Sequence, residues 1–190
     1  MPDHPLQLAV IIGSTREGRF GPTVARWFVS QAERRADFGV AVVDLAEMSL
    51  PAVYPARPVD AVRAYARRIG AADAFVVVTP EYNHGYPASL KQAIDLAHRE
   101  WRAKPVGFVS YGGMAGGLRA VEQLRLVFAE LHAVTIRDTV SFHNVHRAFD
   151  PEGQPVDAAG TAAAARAMLD ELAWWALALR TARATSPYAA

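Results

Sequence analysis

Residues 75–95, FVVVTPEYNHGYPASLKQAID, constrain the fold more than any other stretch of the chain. Phe75, Val76, Val77 and Val78 make a short apolar run of β-branched and aromatic residues, the mark of a fully buried strand. A polar loop, Thr79 to Tyr86, follows at once. Pro87 then suits the first turn of a helix, where its missing N–H has no intrahelical partner to lose. Behind it Ala88, Leu90, Ala93, Ile94 and Ala97 recur at helical spacing. A strand with no exposed face needs helices on both sides, which points to a parallel sheet. In such sheets ligands sit outside the carboxyl ends of the strands, where this loop falls.

The same alternation runs along the chain. Leu8–Ile12, Val40–Leu45, Val106–Ser110 and Val134–Val140 read as further strands. Helical spacing is expected from Pro22 to about Asp37, from Asp60 to Gly70, from Leu118 to His132 and from Ala158 to Ala182. Proline density between Met48 and Pro58 marks an irregular loop. The expectation is an α/β, three-layer fold: a five-stranded parallel sheet in the order 2-1-3-4-5 with helices on both faces and its switch point between strands 1 and 3. The 190 residues suit a single domain, residues 1–182, with residues 183–190 as a flexible tail.

Three loops then converge on one rim. The first, Gly13-Ser14-Thr15-Arg16-Glu17-Gly18-Arg19-Phe20-Gly21, joins a strand to a helix, where backbone N–H groups and the helix dipole favour an anion. Ser14 and Thr15 add hydroxyls, and Arg16 and Arg19 offer charge-assisted bonds to a phosphate. A P-loop is excluded, because Arg19 replaces its lysine and Phe20 its metal-binding hydroxyl. A dinucleotide fingerprint is excluded too, since Thr15 occupies the second glycine position. A terminal phosphate held without metal fits; so does an ordinary turn with two surface arginines. The second loop offers the Tyr82 and Tyr86 rings, the Asn83 amide and backbone amides after Pro80, a surface for a planar heteroaromatic ring. Glu81 reads as a solvated loop acid. The third loop, Ser110-Tyr111-Gly112-Gly113, lets backbone approach a ligand closely.

No nucleophile with its base stands out, and Ser89 has no His–Asp set. His143 and His146 lack the further ligands a metal needs. Trp174 and Trp175 read as packing residues, and Arg26, Arg34 and Arg35 as a solvated face. A net charge of +1 gives no footprint for nucleic acid or an anionic membrane. There is no cysteine, which removes disulfides and thiolate chemistry. The first residues carry an acid and two prolines where a signal peptide needs basic ones, so a cytoplasmic location is expected.

Taken in order, Gly13-Ser14-Thr15-Arg16 with Gly18-Arg19-Phe20-Gly21, Thr79-Pro80-Glu81-Tyr82-Asn83-His84-Gly85, and Ser110-Tyr111-Gly112-Gly113 resemble the NAD(P)H-dependent FMN reductase family, over roughly Leu8 to Val140. The resemblance implies a flavodoxin-like fold, FMN as cofactor, and NADPH or NADH as co-substrate. It implies that Ser14, Arg16 and nearby amides hold the FMN phosphate. Pro80, Glu81, Tyr82 and Asn83 would border the isoalloxazine ring through backbone groups, with Ser110, Gly112 and Gly113 completing the pocket. Many relatives carry Ser-x-Asn where Gly21-Pro22-Thr23 stands here, which leaves Arg19, Phe20 and Thr23 as further phosphate candidates. No side chain is expected to be catalytic, because flavin N5 carries the chemistry. A ping-pong cycle to a small acceptor (flavin, quinone or similar) follows, in a homodimer or homotetramer. The rivals are a flavodoxin-like electron carrier, which would usually be strongly acidic, and a phosphate binder without flavin.

Overall fold

The computed structural model describes residues 4–189. Residues 1–3 of the expected domain and residue 190 of the expected tail lie outside the described residues. The elements alternate from β1 (Leu6–Ile12), α1 (Gly21–Ala32), β2 (Phe38–Asp44) and α2 (Asp60–Ala71) to β3 (Ala74–Pro80) and α3 (Ala88–Leu96). Then come a single 3₁₀ turn (Arg99–Trp101), β4 (Pro105–Tyr111), α4 (Leu118–Glu130), β5 (Val134–Phe142), the one-turn α5 (Val145–Ala148) and α6 (Ala158–Thr185). The sheet has five strands in the order β2-β1-β3-β4-β5, and each neighbouring pair is parallel. This is the expected doubly wound topology, with the reversal of strand order between β1 and β3.

Strand periodicity divides the core in two. Leu8, Val10 and Ile12 of β1 with Val76 and Val78 of β3 face Val24, Trp27 and Phe28 of α1 and Met168, Leu169 and Leu172 of α6. The intervening Ala9, Ile11, Phe75 and Val77 face Tyr65 and Ile69 of α2, Leu90 and Ile94 of α3, and Leu124 and Phe128 of α4. Every residue of β3 and of β4 is buried, so helices cover both faces there. Among the described residues, no helix is long and apolar enough to cross a membrane.

Several boundaries differ from expectation for local reasons. Helix α1 stops at Ala32, before Asp37; beyond it Arg35 forms a bidentate pair with Asp37 and also reaches Asp170 of α6. Arg35 is therefore a clamp between elements, not part of a solvated face. Helix α6 opens on an Asp157 cap, whose carboxylate accepts from the Gly160 N–H at 2.9 Å. It runs to Thr185, past the expected end at Ala182, with Arg183 donating to the Ala103 carbonyl and to Asp73. Beyond it the Tyr188 hydroxyl stands 3.1 Å from His132 Nδ1. The two tryptophans of α6 part company: Trp175 packs on the core, whereas Trp174 is 65% exposed.

Candidate active site

At the carboxyl rim of the sheet a cavity of about 600 Å³ is lined by residues from four strand ends: Arg16, Arg19 and Phe20 after β1, Pro80, Glu81 and Tyr82 at the end of β3, Tyr111, Gly112 and Gly113 at the end of β4, and 144–147 after β5. Its size falls in the usual range for small-molecule sites, about 300–1,000 Å³.

The first loop starts where β1 meets β3. The Gly13 N–H bonds the Val78 carbonyl at 2.9 Å, and a Cβ on Gly13 would stand 3.0 Å from Leu90. Ser14 is fully buried; its hydroxyl accepts from the Tyr111 phenol at 3.1 Å. It sits behind the cavity wall, not on it. Arg19 is also drawn aside. Both of its terminal nitrogens donate to the Asp44 carboxylate at 2.7 Å, and Nη1 also bonds the Ser14 carbonyl at 3.0 Å. The hydrogen bonds to Asp44 outweigh the burial penalty and hold its pKa above the ordinary value. Arg19 lines the cavity, but its charge is already neutralised.

Arg16 differs. It is exposed, lies over the Tyr82 ring at 5.7 Å, and has no ion pair among the described residues. The backbone N–H groups of Ser14, Thr15, Arg16, Glu17 and Gly18 likewise have no acceptor among the described residues. Helix α1 follows with no side-chain cap. Open amides, an uncapped helix start and an unpaired guanidinium together suit an anion.

The second loop is a built wall. The Glu81 N–H bonds the Tyr111 carbonyl at 3.1 Å, stitching the loop to β4. The Glu81 side chain is no solvated loop acid. Only 9% exposed, it accepts from the Arg119 side chain at 2.8 Å and from the Arg119 backbone N–H at 3.2 Å, in the first turn of α4. Tyr82 and Gly85 pair as the ends of a tight hairpin, with Asn83 at φ 48° and His84 at φ 70°. Two successive left-handed residues define a type I′ turn, a conformation that Asn tolerates well. Gln123 braces it by donating to the His84 carbonyl at 2.8 Å. Asn83 is thus at an exposed turn tip and does not line the cavity, whereas Pro80, Glu81 and Tyr82 do.

The third loop places Gly112 and Gly113 on the cavity and Ser110 behind it. The buried Ser110 hydroxyl donates to the Gly116 carbonyl at 2.8 Å, as does Ser141. Gly117, at φ 86°, packs so closely that a Cβ would come within 2.6 Å of Ser110. Ser110 therefore shapes the glycine turn and makes no direct approach to a ligand.

Sequence reasoning missed Tyr111 as a side chain and the segment 144–147 as a cavity wall, having weighed His146 only as a metal ligand. Val145 and Asn144 donate to the Gly112 and Gly113 carbonyls at 3.0 and 2.8 Å, which docks the segment beside the cavity. His146 lies edge-on to Phe20 with ring centroids 5.3 Å apart. Arg147 has no ion pair among the described residues, making it a second open cation at the cavity. The signal was available: Arg147 follows β5 much as Arg16 follows β1, both at a carboxyl strand end. Burial pushes the Tyr111 phenol up to about 12, so it is neutral at physiological pH. His143 bonds the Met114 carbonyl at 2.7 Å and so has a separate role from His146.

The arrangement has an anion-seeking end at Arg16, Arg147 and the open amides, and a flat, largely uncharged end at Pro80, Tyr82, Gly112 and Gly113. The model of the NADPH-dependent FMN reductase family matches residues 6–147, most of the chain and all four loops. The chain belongs to that family. A fission-yeast NAD(P)H-dependent FMN reductase is 40% identical over 120 residues, covering 58% of this chain and 60% of that relative. The chain thus spans about three fifths of that relative's length. The quinone reductase of Escherichia coli K12 is 33% identical over 142 residues, 69% of this chain and 73% of its own. Among solved structures, the flavoenzyme NAD(P)H:(acceptor) oxidoreductase FerB of Paracoccus denitrificans superimposes with a TM-score of 0.74 at 24% identity, over 91% of this chain and 98% of FerB. A flavodoxin from Pseudomonas aeruginosa gives 0.54 at 19% identity, over 90% of this chain and 99% of its own. These likenesses make the family's fold flavodoxin-like here as well.

Proposed function

We propose that this protein is an FMN-dependent oxidoreductase that passes electrons from NAD(P)H to a small acceptor of the flavin or quinone class. One observation carries the reading: a single cavity joins two unpaired arginines and open amides to a flat wall of ring and glycine surface, at the switch point of a doubly wound sheet. That donor set fits FMN, whose phosphate needs cations and N–H donors and whose ring needs a flat, close surface. Family relatives named for FMN and quinone reduction support the acceptor class.

Arg16 and Arg147 bind the phosphate together with the N–H groups of residues 14–18. Arg19 does not compete for it; by gripping Asp44 and the Ser14 carbonyl it fixes the path of the loop. Tyr82, Gly112 and Gly113 face the ring, and the Gly113 N–H has no acceptor among the described residues, so it is free to bond a ring atom. When bound, FMN supplies a hydride acceptor at N5 and a two-electron store that successive substrates use from one face, a ping-pong cycle. The proposal includes assembly as a homodimer or homotetramer.

Titration of the purified protein with FMN, followed by NADPH and then a quinone, tests the reading through visible absorption. The flavin band should bind, bleach with the nicotinamide and return with the quinone, and steady-state lines should be parallel. No spectral change on adding FMN would overturn it. Bound flavin that neither NADPH nor NADH bleaches would make the protein an electron carrier instead.

A further inference from the structure

We infer that the Glu81–Arg119 pair sets the reduction potential of the bound flavin; the inference rests on the FMN reading above. Among the residues lining the cavity, Glu81 supplies the one carboxylate. Its side chain is 9% exposed, whereas that of Arg119 is 49% exposed. The carboxylate is held twice: by the Arg119 guanidinium at 2.8 Å and by the Arg119 backbone N–H at 3.2 Å. The two holds are separable, because a side-chain substitution at Arg119 removes the charge and leaves the backbone donor.

Reduction of the flavin adds negative charge to the ring. A carboxylate in the cavity wall opposes that charge, and the cation paired with it offsets the opposition. The carboxylate is largely closed to water and weakly screened, whereas the half-exposed guanidinium is screened more. At the other end of the cavity, Arg16 and Arg147 have the phosphate to answer. At the ring end, Glu81 and Arg119 have no other ion-pair partner among the described residues. Removing either partner therefore leaves a charge of defined sign beside the ring.

The signs are opposite. Arg119→Gln leaves a mostly buried carboxylate uncompensated, so the flavin becomes harder to reduce. Glu81→Gln keeps the side-chain shape and leaves a half-exposed cation, so the flavin becomes easier to reduce, by less, because solvent screens the guanidinium. The double variant returns near the original value. A pair that served only to hold the loop would move the potential the same way in both variants, through the same loosening.

The experiment equilibrates each FMN-loaded protein with a reference dye of known potential and reads the oxidised-to-reduced flavin ratio. Arg119→Gln should favour oxidised flavin about tenfold, ~30 mV for a two-electron couple. Glu81→Gln should favour reduced flavin by about threefold on the same electrostatic grounds. Arg119→Lys, which keeps the charge without the fork, should stay near the original. Shifts of the same sign, or no shift with FMN bound, would overturn the inference. If Arg119→Gln loses the fold, Glu81→Gln against Arg119→Lys decides alone: the first must move toward easier reduction and the second must not move. FMN titration of each protein keeps the two readings apart. An original protein that takes up no FMN sinks the functional proposal; one that binds FMN while its variants keep the same potential sinks only this inference.

Discussion

The two ends of the cavity are built on opposite electrostatic plans. At the Arg16 end, cations have no ion pair and amides no acceptor among the described residues, an arrangement that suits an anion. At the Glu81 end, the Glu81, Tyr82 and Gly112 amides are bonded within the protein and the one acid is paired. Under the proposed function, the first end gives affinity for the phosphate, and the second gives a fixed surface that changes little when a ring arrives. Arg16 and Arg19 carry the contrast to within three residues. The same side chain stays open where no carboxylate reaches it, and becomes a structural clamp where Asp44 does.

The sharpest way to break this contrast is to exchange the fates of those arginines. Arg19→Ala should destabilise the apoprotein by about 3 kcal/mol in urea unfolding, because it strands the Asp44 carboxylate, only 10% exposed. Arg16→Ala should leave apoprotein stability within about 0.5 kcal/mol, as an exposed residue without such a role. Equal losses in the two variants would erase the distinction.

Next in size, Arg16→Ala should weaken FMN binding by about 1.5–3 kcal/mol in an absorption titration, the worth of a charge-assisted hydrogen bond. Arg147→Ala should weaken it in the same sense. Riboflavin, which lacks the phosphate, should bind both variants as it binds the original. A matching loss for riboflavin would move both arginines away from the phosphate.

The floor between the two ends gives a smaller, pH-dependent effect. The phenol of Tyr111 is raised to about 12 by burial, while in the unfolded chain it titrates near the ordinary value of 10.0. The folded state therefore keeps a proton that the unfolded state loses, and the stability this provides is full below pH 10 and is lost as pH rises toward 12. The stability difference between the original and Tyr111→Phe should shrink over that window; a constant difference would count against a buried neutral phenol. Smallest of all, Asn83→Val should cost about 1–2 kcal/mol of stability, since a β-branched residue resists φ 48°. It should leave the preference for FMN over riboflavin unchanged.

The fold was legible because its strands have no polar face. The Phe75–Val78 run excludes almost everything but a covered parallel strand, and the helices between such runs follow from Pro22, Pro87 and Ala-rich periodicity. The loop positions were legible for the same reason. What the loops do with their side chains was less so, because hydrogen-bond partners come from far along the chain. Asp44 lies 25 residues from Arg19, Tyr111 lies 97 from Ser14, and Arg119 lies 38 from Glu81. Nothing local announces that Ser14 and Ser110 turn behind the wall, or that Asn83 sits at a turn tip. The place of segment 144–147 on the cavity was missed because a single helical turn has too few residues to show periodicity.

The cavity draws its lining from Arg16 through Arg147, across the whole order of strands. No half of the chain can assemble it, so only the finished domain binds its ligand well. A ligand that recognises the native state alone shifts the folding equilibrium by RT ln(1 + [L]/Kd), about 2.7 kcal/mol at a hundredfold excess over Kd. Under the proposed function, the supply of flavin then governs how long the protein survives degradation as well as how fast it turns over. A cell short of FMN would hold less of this protein, through proteolysis of its transiently opened chains and with no change in its synthesis.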